Sequence, residues 1–217
     1  RWRLRAKPVR LFLMGANAWR EYDQFPVAAR ETRIYLRAHG QLGAASPAAH
    51  FAPDRYRFDP SDPTPALGGP LYSPMAGAID NRVLEARSDV LTYTTPPLQN
   101  EVEVIGRVRL ELYARSTAPS FDIFARLCVV HPDGRSINLC DGLTRVDSGV
   151  GEKQADGSVR LVVDMWGTAN RFLCGHRIRL MVASGAHPRF ARNLGTGEPL
   201  ATATRMIVAA QTIYHDT

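Results

Sequence analysis

The sequence runs to 217 residues, which at ~150 residues per domain means one large domain or two small ones. Hydrophobic residues make up 45% and charged residues 22%, the balance of a folding globular chain and not of a disordered or fibrous one. The formal charge of +6 would suit a polyanion, but lysine occurs only at Lys7 and Lys153, and the arginines that supply the rest are scattered singly. Dispersed charge acts on solubility more than on phosphate tracking, so no nucleic-acid partner is expected. No apolar run approaches the ~20 residues that span a bilayer, and the start Arg1-Trp2-Arg3-Leu4-Arg5 lacks the apolar core of a secretion signal. No membrane partner is expected either. Residue 1 is not Met and a strand-like segment follows soon after it, so the chain reads as one domain, residues 1–217, of something longer.

In chain order, strand candidates fall at residues 10–14, 33–37, 107–112, 121–130, 135–139, 158–164, 177–182 and 205–214. Alternation is clearest at 107–112, where Arg107, Arg109 and Glu111 alternate with Val108, Leu110 and Leu112, and at 177–182. Both are expected in a half-solvated sheet, because a period of two puts one residue set on each face. No segment sustains helical spacing over three turns, and 17 glycines and 15 prolines interrupt the chain, so any helix is short. Strands joined by long irregular connections, such as 40–80, point to an all-β two-sheet sandwich or jelly roll. The loop at 58–70 is too rich in proline for regular structure, yet it is no Gly/Ser linker, so it is expected to be ordered and pressed against something.

Cys128, Cys140 and Cys174 have no zinc spacing, so no metal is expected. A hairpin closed at His131-Pro132-Asp133-Gly134 leaves Cys128 and Cys140 out of register for a bridge. All three read as buried thiols, which fits a reducing compartment and favours the cytoplasm.

The motifs of chemistry are missing. No serine has the G-x-S-x-G setting of a nucleophile elbow; Asp147-Ser148-Gly149-Val150-Gly151 comes nearest and reads better as a turn. Metalloprotease, phosphate-loop and dinucleotide signatures are absent as well, and no cofactor is expected. His131 and His187 precede prolines in turn-like contexts, His39 precedes Gly40 at the end of a strand, and His176 reads as a structural hydrogen-bonding group. Asp59, Asp62 and Asp80 lack calcium-loop spacing. Trp19, Tyr22, Phe25, Tyr72 and Trp166 could stack on a sugar or line a cleft, but burial at a domain interface or under a loop is the preferred reading.

Five segments, in this order, resemble the C-terminal domain of the cocaine esterase and X-Pro dipeptidyl-peptidase (CocE/NonD) group of α/β hydrolases. They are Val9-Arg10-Leu11-Phe12-Leu13-Met14-Gly15 with Trp19-Arg20; Phe58-Asp59-Pro60 with Asp62-Pro63 and Gly68-Gly69; Ser88-Asp89-Val90-Leu91-Thr92-Tyr93; Pro132-Asp133-Gly134-Arg135 leading into Asp141-Gly142; and Gly175-His176-Arg177-Ile178 with Pro188-Arg189-Phe190 and Arg192-Asn193. The resemblance implies a galactose-binding-like jelly roll packed on a catalytic α/β-hydrolase domain whose Ser-His-Asp triad lies wholly in the preceding part of the protein. The catalytic residues in this chain are then none, and the chain alone is expected to be inactive. It also implies that Leu71 and Tyr72 form apolar wall of the substrate cleft, with a small ester or X-Pro peptide at the domain interface. Two departures stand out. Relatives carry more aspartates around Pro119-Ser120-Phe121-Asp122 and at Cys128, so a polar network there is thinner. Relatives also close on a strand bearing Pro-Ser and Leu-Pro, where this chain ends Tyr214-His215-Asp216-Thr217, and the loss of that strand could expose a sheet edge. The alternatives are a free-standing carbohydrate-binding module and an oligomerisation domain. A flat exposed platform of Trp19, Tyr22 and Tyr72 would favour sugar; aromatics buried under the Asp-Pro-rich loop would favour an interface.

Overall fold

A computed structural model describes residues 6–47, 51–147 and 149–215. Residues 1–5, Ser148 and residues 216–217, on which some expectations above fall, lie outside the described residues. The chain opens with a hairpin of β1 (Val9–Leu13) and β2 (Ala18–Tyr22). Then come β3 (Tyr35–Arg37), β4 (Gln41–Gly43), β5 (Asp54–Phe58), the single-turn helix α1 (Arg82–Glu85) and β6 (Leu91–Thr94). The second half is β7 (Val102–Ser116), β8 (Phe121–Val130), β9 (Ser136–Val146), β10 (Glu152–Lys153), β11 (Val159–Phe172), β12 (Arg177–Ala183) and β13 (Ala209–Tyr214).

One sheet has the order β10-β11-β7-β13-β5 and the other β3-β4-β6-β12-β8-β9. From β6 onward the chain passes repeatedly from one sheet to the other, which gives the jelly-roll sandwich its layers. Side-chain alternation builds the core between them. Leu110, Leu112, Leu161, Val163 and Ile213 of the first sheet meet Ile123, Ala125, Leu127, Ile178, Leu180 and Val182 of the second. Each such fully buried side chain stabilises by roughly 1.5–3 kcal/mol before entropy is charged against it. The outward partners in β7, among them Arg109 and Glu111, stay in water, as the alternation at 107–112 predicts.

The second sheet departs from that expectation. Every residue of β8 is buried, and so are the last four of β12. On its outer face Phe124, Cys128, Met181 and Ala183 pack with Leu84, Val90 and Ala186, against which Ala66, Leu67 and Phe190 close. The segment predicted at 177–182 is therefore half-solvated only at its start, because the irregular chain around residues 64–90 and 184–190 lies over it. Strand β8, apolar but for Asp122 and Arg126, has the pattern of a strand covered on both faces.

β2, β4, β5, β6 and β10 escape the sequence reading because they are short, and in β5 the charged residues Asp54, Arg55 and Arg57 outnumber the inward-facing Tyr56 and Phe58. Strand β11 runs past its predicted end through a bulge between Asp164 and Gly167. Cys128 lies opposite Asn138 and Cys140 opposite Leu127 across a register shift, and all three cysteines are free. The expectation of three buried thiols holds for Cys128 alone: Cys140 is half-buried, and Cys174 is exposed in the turn before β12, its Sγ 3.3 Å from the Gln99 carbonyl. Among the described residues, no helix is long and apolar enough to cross a membrane.

Candidate functional site

The segment 58–70 is ordered, as its composition implies. Thr64 Oγ1 donates to Asp89 Oδ2 at 2.7 Å, Ala66 N to the His187 carbonyl at 2.7 Å, and Arg192 Nη1 to the Pro60 carbonyl at 3.0 Å. Beyond it the chain makes a narrow excursion closed by Gly69 N to the Gly77 carbonyl at 2.8 Å and Gly77 N to the Gly69 carbonyl at 2.9 Å. Gly68 and Gly69 have φ of 69° and 74°, a left-handed conformation that favours glycine. At the tip stand Leu71, half-buried, and Tyr72, fully exposed. With Ser73 and Pro74 they border a shallow hollow of about 410 Å³. Leu71 and Tyr72, the two residues singled out as cleft wall, are chain neighbours at this tip.

A buried ionic cluster lies at the root of this loop. Arg126 and Asp141 are register partners on β8 and β9, with side chains 1% and 2% exposed. Arg126 Nη2 and Nε donate to Asp141 Oδ2 at 2.7 and 3.1 Å, and Nη1 donates to Asn81 Oδ1 at 2.6 Å and to the Leu67 carbonyl. Arg189 supplies a second guanidinium to Asp141 Oδ1. Asn138 completes the base: its Oδ1 accepts from Ile79 N at 2.9 Å and Asn81 Nδ2 at 3.1 Å, and its Nδ2 donates to the Gly77 carbonyl at 2.9 Å.

The other candidate residues serve structure. Asp59 accepts from Ser61 N and Oγ, which holds its carboxyl below the usual range. Asp62 pairs with Arg87, and Asp80 accepts from Arg82 and Ser136 N. Asp122 is engaged by Arg145 at 2.8 and 2.7 Å and by Asn193 Nδ2 at 2.7 Å. His176 is buried, its Nδ1 3.4 Å from Leu173 N and its ring 4.6 Å from that of His131. Burial, then the neighbouring His131, lower its pKa. His215, which the sequence reading passed over, contacts Asp54 Oδ2 through Nε2 at 2.7 Å, and Tyr93 OH donates to the same oxygen at 2.8 Å. Among the described residues, no histidine hydrogen-bonds a serine hydroxyl.

Of the two settings expected for the aromatics, cover by a loop of this chain is contradicted, while exposure in the isolated domain accords with a domain interface. Trp19, Phe25, Tyr72 and Trp166 are exposed, and Tyr22 is half-buried. Trp19 stands edge-on to Phe12, its register partner, with the Arg10 guanidinium 4.8 Å over its ring. Trp166 sits in the β11 bulge with φ of 67°. Trp19 and Tyr22 belong to the hairpin, Phe25 to the bend after it, Tyr72 to the loop tip and Trp166 to the bulge, and among the described residues none of these rings pairs with another of them. The aromatics that do lie under that loop are Phe124 and Phe190, 6.4 Å apart.

The whole chain, residues 1–217, matches the family described as the X-Pro dipeptidyl-peptidase C-terminal non-catalytic domain. The chain belongs to that family. Cocaine esterase from Rhodococcus sp. is 36% identical over 209 residues, covering 89% of this chain and 36% of the esterase. An aminopeptidase from the marine sediment archaeon Thaumarchaeota archaeon superposes with a TM-score of 0.86 at 28% identity, over 98% of this chain and 39% of that one. An α-amino acid ester hydrolase gives a TM-score of 0.85 at 22% identity over 96% of this chain and 39% of that one, a likeness of fold. The chain spans little more than a third of each of these proteins.

Within this X-Pro dipeptidyl-peptidase C-terminal domain, the sequence reading missed the Arg126–Asp141 cluster. A signal for it was present, since Arg126 interrupts the apolar run Phe121–Val130 and a charge at such a position needs a buried partner. Asn81 and Asn138 carried no comparable signal, because asparagine is ordinary in turns and exposed strands.

Proposed function

We propose that this domain is the non-catalytic C-terminal part of a serine hydrolase acting on an ester or X-Pro amide. It supports the catalytic α/β domain of the same polypeptide and borders its substrate cleft through Leu71 and Tyr72. One observation carries this reading: Tyr72, a large aromatic without cover from its own chain, is held out at the tip of a loop rooted in a buried ionic cluster. A side chain so placed wants a partner outside the domain. The family and the relatives' names support the reaction class, and the three free thiols favour a reducing compartment such as the cytoplasm.

A cleft wall orients substrate without breaking bonds. Tyr72→Ala in the complete protein should therefore raise KM for p-nitrophenyl acetate or Ala-Pro-p-nitroanilide about three- to tenfold, with kcat within about twofold. An unchanged KM for both substrates would contradict the assignment.

A further inference from the structure

The Gly68–Gly77 loop is anchored at both ends by the same set of buried side chains. On the entry side, the Leu67 carbonyl accepts from Arg126 Nη1. On the exit side, Asn138 binds the Gly77 carbonyl and Ile79 N, and Asn81, the other acceptor of Arg126 Nη1, donates to Asn138 Oδ1 and to the Ile79 carbonyl at 2.7 Å. Four donor contacts from one guanidinium, two to a carboxylate, one to an amide oxygen and one to a backbone carbonyl, tie two sheet strands to the loop. The planar fork of arginine makes this possible; a lysine ammonium could not span the same set.

The fit is close from the loop side as well. A Cβ on Gly69 would stand 3.0 Å from Asp141 Oδ2 and 3.3 Å from Arg189 Nη1, and one on Gly68 only 2.5 Å from Asn138 Oδ1. Glycine thus serves twice here, adopting positive φ and letting the backbone lie directly on the ionic cluster.

We propose that Arg126, Asp141 and Asn81 are positioning residues that fix the Gly68–Gly77 loop on the sandwich and so set where Leu71 and Tyr72 stand. They act through the loop and do not touch substrate. The consequence for catalysis rests on the cleft-wall reading above; the consequence for loop order does not.

The experiment is hydrogen exchange on the complete protein, followed at the bonded amides of Gly68, Gly69, Leu71, Met75, Ala76 and Gly77, together with steady-state kinetics on p-nitrophenyl acetate. In Asp141→Asn these amides should accelerate at least about tenfold more than those of Leu110 and Ile123, which report the loss of global stability, since local opening is separable from global unfolding. KM should rise with kcat little changed. If Asp141→Asn does not fold, Arg126→Lys keeps the buried charge paired but releases the Leu67 carbonyl, and the same loop-specific acceleration is expected. Loop amides that keep their rates, or that accelerate no more than the core amides, would overturn the proposal. Tyr72→Ala separates the two claims. If it leaves KM unchanged while Asp141→Asn still frees the loop, the cleft-wall reading fails and the positioning role stands. If it raises KM while the cluster variants leave the loop amides slow, the positioning role fails and the cleft-wall reading stands.

Discussion

Arg126 and Asp141 face each other across β8 and β9 with 2.7 Å between Nη2 and Oδ2, both side chains sealed from water and both within reach of the Gly68–Gly69 backbone. Buried charge of this kind is tolerated because nearly every donor and acceptor is used. Arg126→Met leaves Asp141 without its β8 partner and strips donors from Asn81 and the Leu67 carbonyl. Breaking one side of a buried pair typically costs about 3–5 kcal/mol, and a urea titration should show a loss of that order. A loss under about 1 kcal/mol would contradict a desolvated cluster.

Strand β8 serves two cores. Ile123 fills the space between the sheets, and its neighbour Phe124 fills the layer beneath the covering loops. Ile123→Ala and Phe124→Ala should each cost about 2–5 kcal/mol, because each leaves a cavity that its surroundings close only in part. If Phe124→Ala proved neutral while Ile123→Ala did not, the outer face of the six-stranded sheet would not be covered.

The thiols divide by environment. Burial pushes Cys128 and Cys140 up to about 12, so neither is a thiolate at neutral or mildly alkaline pH, whereas Cys174 is exposed. Titrating the folded chain with a thiol-reactive disulfide at pH 8 should label Cys174 alone, and all three cysteines once the chain is unfolded. Rapid labelling of Cys128 in the folded chain would contradict the covering layer.

His176 gives the domain a pH dependence. Its folded pKa lies below the unfolded value of about 6.5, because burial and then His131 disfavour the imidazolium, with Asp133 opposing. Its contribution is therefore present above that unfolded value and lost as pH falls through the folded one. Between pH 7.5 and 5 the Tm of His176→Gln should fall less than that of the parent. An equal fall would assign the acid sensitivity to other groups.

Much of this architecture was legible in the sequence. The alternation in residues 107–112 placed β7, and the strand expected at 121–130 coincides with β8. What escaped depended on long-range pairing: Arg126 and Asp141 meet only because β8 and β9 pair with a bulge whose position the local pattern does not reveal. Asn81 and Asn138 join them from segments far apart in the chain. The pair Leu71 and Tyr72 came from resemblance, not from periodicity, since a ten-residue excursion between Gly68 and Gly77 leaves no regular hydrophobic signature. Trp19 and Trp166 are not covered by a loop of this chain, because the preference for burying aromatics does not say whether the same domain or a neighbouring one does the burying.

The central claim is that the chemistry lies outside this chain, and the most direct test is hydrolysis of p-nitrophenyl acetate and of Ala-Pro-p-nitroanilide by the chain alone and by the complete protein. The account predicts turnover of at least one substrate by the complete protein and none above background by the chain alone. Turnover by the isolated chain, abolished on replacing His176 or a serine within it, would contradict the account.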